Sequence, residues 1–219
     1  MDAGVGVYAV AVGALLLAPI LLILLLAKCP RTLLPSARHR PRARAAAVPV
    51  RSMPGGRLHV LLVCSRNQPD HRVFPGGGIE PGETPADAAQ RECIEEAGAL
   101  GKLGVLLGTL RDARPRTLHA VTTVYVVHVE EELDEYEEYW RGRDWFDLGV
   151  PGSTESAECL ARMRAALSPK GVHQRTLDLL EAASASVLND CEQLELAARA
   201  GRSSGAALTP LRRRLASGH

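Results

Sequence analysis

The residues best suited to chemistry lie between Gly77 and Ala99. Glu83 follows Gly77 after five intervening residues, and after seven more comes Arg91-Glu92-Cys93-Ile94-Glu95-Glu96-Ala97-Gly98-Ala99. On a helix, Glu92, Glu95 and Glu96 are related by i, i+3 and i+4, so their carboxylates share one face. Three acids near a helix C-terminus repel one another and oppose the helix dipole, which costs free energy unless a cation sits among them. A hard divalent ion answers that need, and Mg²⁺ suits it because it takes oxygen ligands, keeps several waters and joins carboxylates to phosphates. The glycines at 76–78 let backbone carbonyls and amides approach both ion and phosphate. Arg91 is expected to point away from the acidic face and pair with Glu83, tying loop to helix. An exposed acidic helix alone would explain the carboxylates, but not the glycines, Arg91 or the stop at Gly98.

The flanking residues predict elements able to hold this segment. Thr84 offers an N-cap, Pro85 a first-turn proline and Asp87 the acid of a capping box; Gly98 ends the helix as a C′ residue. PGGG and EPGETP read as a loop before it. The runs VPV and LHVLLVC, separated by a Pro-Gly-Gly turn signal, predict a hairpin. Further strands are expected over Lys102 to Leu110 and Ala120 to Val129, and a short one at WFDL. The run EEELDEYEE, residues 130–138, reads as a solvated loop. Helical periodicity covers about 155 to 200, and the small, basic tail reads as disordered. There is no internal repeat.

With 219 residues the chain has room for one ordinary domain plus extensions. The net charge of +1 excludes little, because it averages over opposed segments. Residues Ala3 to Ala27 carry no charged side chain, whereas Lys28 to Arg72 holds ten Lys or Arg against one acid, Asp70. Residues 4–27 are therefore expected to form a transmembrane helix, followed by a basic juxtamembrane linker over 28–41. The positive flank places all that follows on the cytoplasmic side, so the expectation is a single-pass membrane protein with its domain facing the cytoplasm. Pro19 is tolerable as a kink within a span. Five scattered cysteines, without a C-x-x-C pair, indicate a reducing compartment rather than a disulfide framework. His39, His59, His128, His173 and His219 are isolated in sequence and read as structural or solvated.

The spacing from Gly77 to Ala99 resembles the Nudix box, G-x5-E-x7-R-E-U-x-E-E-x-G-U with U apolar. Gly77, Glu83, Arg91, Glu92, Glu95, Glu96 and Gly98 match its fixed positions, with Cys93 and Ala99 at the apolar ones. The resemblance implies an α/β/α sandwich with a mixed sheet that hydrolyses a diphosphate linked to another moiety, using Mg²⁺ or Mn²⁺. It extends through SRNQPDHRVFPGGGIEPGETP, GKLGVLLG, RGRDWF and SPKGVHQRTLDLLE to the diphosphoinositol polyphosphate phosphohydrolase subgroup, over residues 42–185. That leaves 186–219 as a helical extension and tail. By this resemblance Glu92, Glu96 and the carbonyl of Gly76 are metal ligands, Glu95 accepts the proton from water, and Arg91 and Glu83 support it. The implied substrate-binding residues are Arg42, Arg44, Ser65, Arg66, Asn67, Gly77, Gly78, Arg114, Arg116, Arg141, Arg143 and Lys170.

The expected substrate is thus a small polyphosphate, a diphosphoinositol polyphosphate or a diadenosine polyphosphate. Nucleoside diphosphate derivatives such as ADP-ribose, coenzyme A or capped RNA stand as the alternative, as does a silent module that binds an anionic ligand. Aromatics make up only 4% of the chain, which offers few stacking platforms and argues against nucleic acid as a partner.

Overall fold

The computed structural model describes residues 41–114 and 117–203. The expected span at 4–27, all but the last residue of the basic linker, Cys29, Arg116 and the tail after 203 lie outside the described residues. Among the described residues no helix is long and apolar enough to cross a membrane.

The central element is β1 (Arg42–Met53), whose neighbours define a mixed sheet. On one side it runs parallel to β6 (Thr117–Glu132), pairing Arg42 with Ala120 through Val50 with His128. On the other, its second half pairs antiparallel with β2 (Arg57–Cys64), while Arg44, Ala45 and Ala46 pair with β4 (Gly76–Gly78). β5 (Ala99–Arg114) flanks β6; β3 (Arg72–Val73) and β7 (Arg143–Asp147) flank β2. The Pro-Gly-Gly turn between β1 and β2 is as expected, with φ of 84° at Gly55 and 72° at Gly56. The glycines at 76–78, read as loop, instead form a strand. They need no side-chain propensity to do so, because β1 supplies their partner and a Cβ on Gly76 would collide with Ala45 and Ala46.

Both sheet faces are buried, as an alternating strand requires when it is covered on two sides. Ala45, Ala47, Leu61 and Val63 point toward α1 (Pro85–Ala97), while Val48, Val50, Val60 and Leu62 point to the opposite core. That second core is closed by α2 (Thr154–Ala166) and α3 (Gly171–Ser203), through Leu160, Met163, Leu177 and Leu180. The expected α/β/α layering follows. The helical stretch expected over about 155–200 is two helices, and α3 continues unbroken through 185, with Val187 and Cys191 still in the core.

Helix α1 begins and ends as its sequence requires. Thr84 is extended, with φ of −83° and ψ of 157°, and its hydroxyl accepts from the Asp87 amide; Gly98 closes the helix in the left-handed region at φ of 57°. The apolar part of its buried face is Ala88, Ala89, Cys93 and Ala97, so little side-chain volume separates its backbone from the sheet. This close seat brings the glutamates on its flank to the glycine strand β4.

The run at 130–138 departs from the solvated loop expected of it. Glu130, Glu131 and Glu132 belong to β6, and Glu138 is buried, 7% exposed, beside a short 3₁₀ turn at Tyr139–Arg141. Its seven acids conceal two different environments, one at the end of strand β6 and one under the site. Cys64, Cys93, Cys159 and Cys191 are free thiols.

Candidate active site

A polar cavity of about 460 Å³ opens where β4, the C-terminal half of α1 and the 3₁₀ turn converge. Glu92, Glu95, Glu96, Gly76, Gly77 and Gly78 line it, together with Arg44, Ser65, Arg66, Asn67, Arg141 and Lys170. Most of the residues singled out by sequence therefore share one site, although they come from six separate stretches of chain. Arg42 lies exposed at the start of β1 and is not among the lining residues. Arg143 also stays out of the cavity: its guanidinium caps α1, donating 2.7 Å to Ala97 O and 3.2 Å to Gly98 O, and lies over the Tyr136 ring. Arg114 ends β5, but its side chain, like all of Arg116, is outside the described residues.

Glycine at 77 is required by space, since a Cβ there would strike the Glu92 carboxylate. The Gly76 amide donates 2.9 Å to Glu96 Oε2, so β4 holds one carboxylate in place. Arg91 grips Glu83 with Nε to Oε1 at 2.9 Å and Nη2 to Oε2 at 3.1 Å, and also donates 2.9 Å to Gly78 O. The expected loop-to-helix tie is present. Arg91 does not point away from the acidic face, however. Its Nη1 reaches Glu92 Oε1 at 3.0 Å and Glu95 Oε2 at 2.8 Å, because i, i+4 spacing on a helix puts Arg91 and Glu95 side by side.

The acids are thus compensated, contrary to expectation, by two arginines. Arg141, with its side chain only 3% exposed, lies 2.5 Å from Glu96 and 2.8 Å from Glu138 through Nη1, while its Nε donates 2.8 Å to Cys64 O. Compensation is incomplete. Burial, reinforced by neighbouring Glu96, raises the Glu92 carboxyl above its ordinary range, and burial does the same to Glu95 against the pull of Arg91. Glu83 moves down, chiefly through its hydrogen bond from Arg91.

Among the described residues no three acidic, histidine or cysteine side chains close around a common point as a finished ligand cage. The donor set nevertheless fits a hard divalent ion: every candidate atom is an oxygen, and Glu92 sits where two carboxylates disfavour each other's charge.

Sequence reasoning missed three polar lining residues, besides Val73 and Phe74. Glu137 and Glu138 were hidden in the acidic run. Glu138 stands three residues before Arg141, a pairing distance that could have marked it, but burial could not be read from composition. His173, taken as isolated, lines the cavity beside Lys170 and stacks on Phe74 at 6.4 Å between ring centroids. Burial, with the charges of Lys170 and Arg44, pushes its pKa down to about 4.

A sandwich of this topology with a glycine strand facing a glutamate-bearing helix defines a class, the Nudix hydrolases. The NUDIX domain family matches residues 41–163, and the chain belongs to it. Its curated relatives include a bovine diphosphoinositol polyphosphate phosphohydrolase 3-beta, 48% identical over 92 residues, which cover 41% of this chain and 55% of that protein. The rat diphosphoinositol polyphosphate phosphohydrolase 2 is 47% identical over 94 residues, covering 41% and 50%. The chain spans about half the length of the curated relatives it matches. Among solved structures, a Nudix hydrolase from Nitrosomonas europaea aligns with a TM-score of 0.50 at 20% identity, over 66% of this chain and 90% of that one. RenU, a Nudix hydrolase from M. smegmatis, aligns at 0.50 and 19%, over 67% and 88%. At these identities the two structures speak for the fold alone.

Proposed function

We propose that this chain is a divalent-metal-dependent pyrophosphohydrolase that cleaves phosphoanhydride bonds of diphosphoinositol polyphosphates or diadenosine polyphosphates. The observation that carries the reading is the meeting, in one polar cavity, of Glu92, Glu95 and Glu96 with the glycine strand and with the cations Arg44 and Lys170. The identity to diphosphoinositol polyphosphate phosphohydrolases over the domain supports the substrate class.

Glu92, Glu96 and the Gly76 carbonyl are the groups that would hold Mg²⁺ or Mn²⁺, which supplies Lewis acidity and screens phosphate charge when bound. Water attacking phosphorus gives up its proton to Glu95 as the bridging P–O bond of the anhydride breaks and its electron pair leaves with the departing phosphate. Glu95 Oε2 accepts 2.8 Å from Arg91 Nη1, which leaves Oε1 and a second lone pair on Oε2 open to that proton. Arg91 fixes the Glu95 carboxylate and, through Glu83, keeps the loop at 79–83 against the helix. Arg44 and Lys170 approach the cavity as cations for substrate phosphate.

The membrane reading belongs to the same proposal: residues 4–27 anchor the chain, and the basic flank after them keeps the hydrolase on the cytoplasmic side. Its support is the uncharged stretch and the charge asymmetry of the sequence. Carbonate extraction and protease protection of a C-terminally tagged chain test it, and complete release into the soluble fraction would remove it without touching the hydrolase. The enzyme reading is tested with the detergent-solubilised full chain, assayed with Mg²⁺ against diphosphoinositol pentakisphosphate, diadenosine polyphosphates and ADP-ribose. Turnover of the first two is expected; ADP-ribose alone would move the chain to another substrate class.

A further inference from the structure

We infer that Glu138 tunes the selectivity of the cavity by weakening its hold on phosphates beyond the pyrophosphate; this rests on the polyphosphate reading above. Four cationic side chains line the cavity: Arg44, Arg66, Arg141 and Lys170. Two of them face Glu138: Arg66, and Arg141, which also pairs with Glu96. Arg66 donates 3.1 Å from Nε to Glu138 Oε2 and pairs with the other carboxylate oxygen through Nη2, while Arg141 donates 2.8 Å to Oε2.

Glu138 is held firmly enough to keep both. It is 7% exposed, and its backbone amide donates 2.9 Å to Glu95 O, which fixes the 3₁₀ turn to the end of α1. A guanidinium that already faces a carboxylate offers fewer donors and less net charge to phosphate than a bare one. Arg44, which donates 2.9 Å to the Gly76 carbonyl, and Lys170 are then the lining cations not committed to an acid among the described residues. With Glu137 also at the cavity, the arrangement weakens the hold on ring phosphates beyond the pyrophosphate and leaves the pyrophosphate itself to Arg44 and Lys170.

Calorimetric titration of the full chain in EDTA with inositol hexakisphosphate and with inorganic pyrophosphate tests this without any turnover. Glu138→Gln keeps the shape and removes the charge. It is expected to tighten hexakisphosphate binding by about tenfold or more, to change pyrophosphate binding less than about threefold, and to steepen the salt dependence for the former. Glu138→Asp, which keeps the charge, stays near the wild type. Equal shifts for both ligands, or no shift, would overturn the inference. Should Glu138→Gln fail to fold, the exposed Arg66 still decides. Arg66→Gln is expected to weaken hexakisphosphate binding less than about threefold, and a loss of about tenfold or more would show an uncommitted arginine. Absence of hydrolysis would sink the proposed function and leave these titrations readable.

Discussion

Arg91 and Glu83 meet as a fork, two N–H donors of one guanidinium on two oxygens of one carboxylate, at 2.9 and 3.1 Å. Their side chains are 24% and 13% exposed, and the same Arg91 also touches Glu92 and Glu95. One side chain therefore ties the loop and restrains two of the three acids. Arg91→Ala is expected to lower stability by about 2–3 kcal/mol, since it leaves Glu83 partly buried without its partner. Arg91→Lys restores the charge but not the two-point geometry and falls between the two. Urea unfolding of the three proteins checks the order.

Gly77 tests whether the site depends on clearance rather than on charge. Gly77→Ala pushes a methyl into the Glu92 carboxylate while leaving β4 paired to β1. A displacement of that size is expected to cost about 10²-fold in kcat. Melting should stay within a few degrees of the wild type, and parallel rate and calorimetric measurements separate the two effects.

The end of α1 is a purely conformational matter. Gly98 has φ of 57°, and a Cβ there would run into Tyr136 and Arg143. Gly98→Ala should destabilise the fold by about 2–4 kcal/mol, from left-handed strain plus the clash, measured by denaturant midpoint.

His173 gives the stability a pH dependence of fixed sign. Its folded pKa is about 4 against an ordinary 6.5, so the folded chain refuses a proton that the unfolded chain accepts. The contribution is complete above pH 6.5 and is lost as pH falls from there toward 4. At pH 5 the loss from this group is about 2 kcal/mol. Unfolding free energies at pH 7.5 and 5 should differ less in His173→Gln than in the wild type.

The parts of this molecule that could be read from sequence are those whose cause is local. Thr84, Pro85, Asp87 and Gly98 bound α1 through contacts within a turn, and the hydrophobic runs of β1 and β2 flank a turn with its own chemistry. The glutamates could be placed on one face because i, i+3 and i+4 spacing along a helix needs no knowledge of the rest of the fold, whereas the arginines that compensate them could not. What was not legible depends on long-range partners. The glycines at 76–78 become a strand only because β1 lies beside them. Arg141 looked like a substrate contact in RGRDWF until its burial between Glu96 and Glu138 was visible. Glu138 was indistinguishable by composition from the exposed acids around it, and His173 joined the cavity only once α3 packed behind Phe74.

The central claim is that the glutamate face of α1 performs metal-dependent hydrolysis of a phosphoanhydride. Its most direct test is phosphate release from diphosphoinositol pentakisphosphate by the full chain, with Mg²⁺ and with EDTA, for wild type and Glu95→Gln. The account predicts release by the wild type with Mg²⁺ only, and a fall of about 10²–10⁴-fold in kcat for Glu95→Gln with little change in melting temperature. Release that persists in EDTA, or a Glu95→Gln rate equal to the wild type, would contradict it.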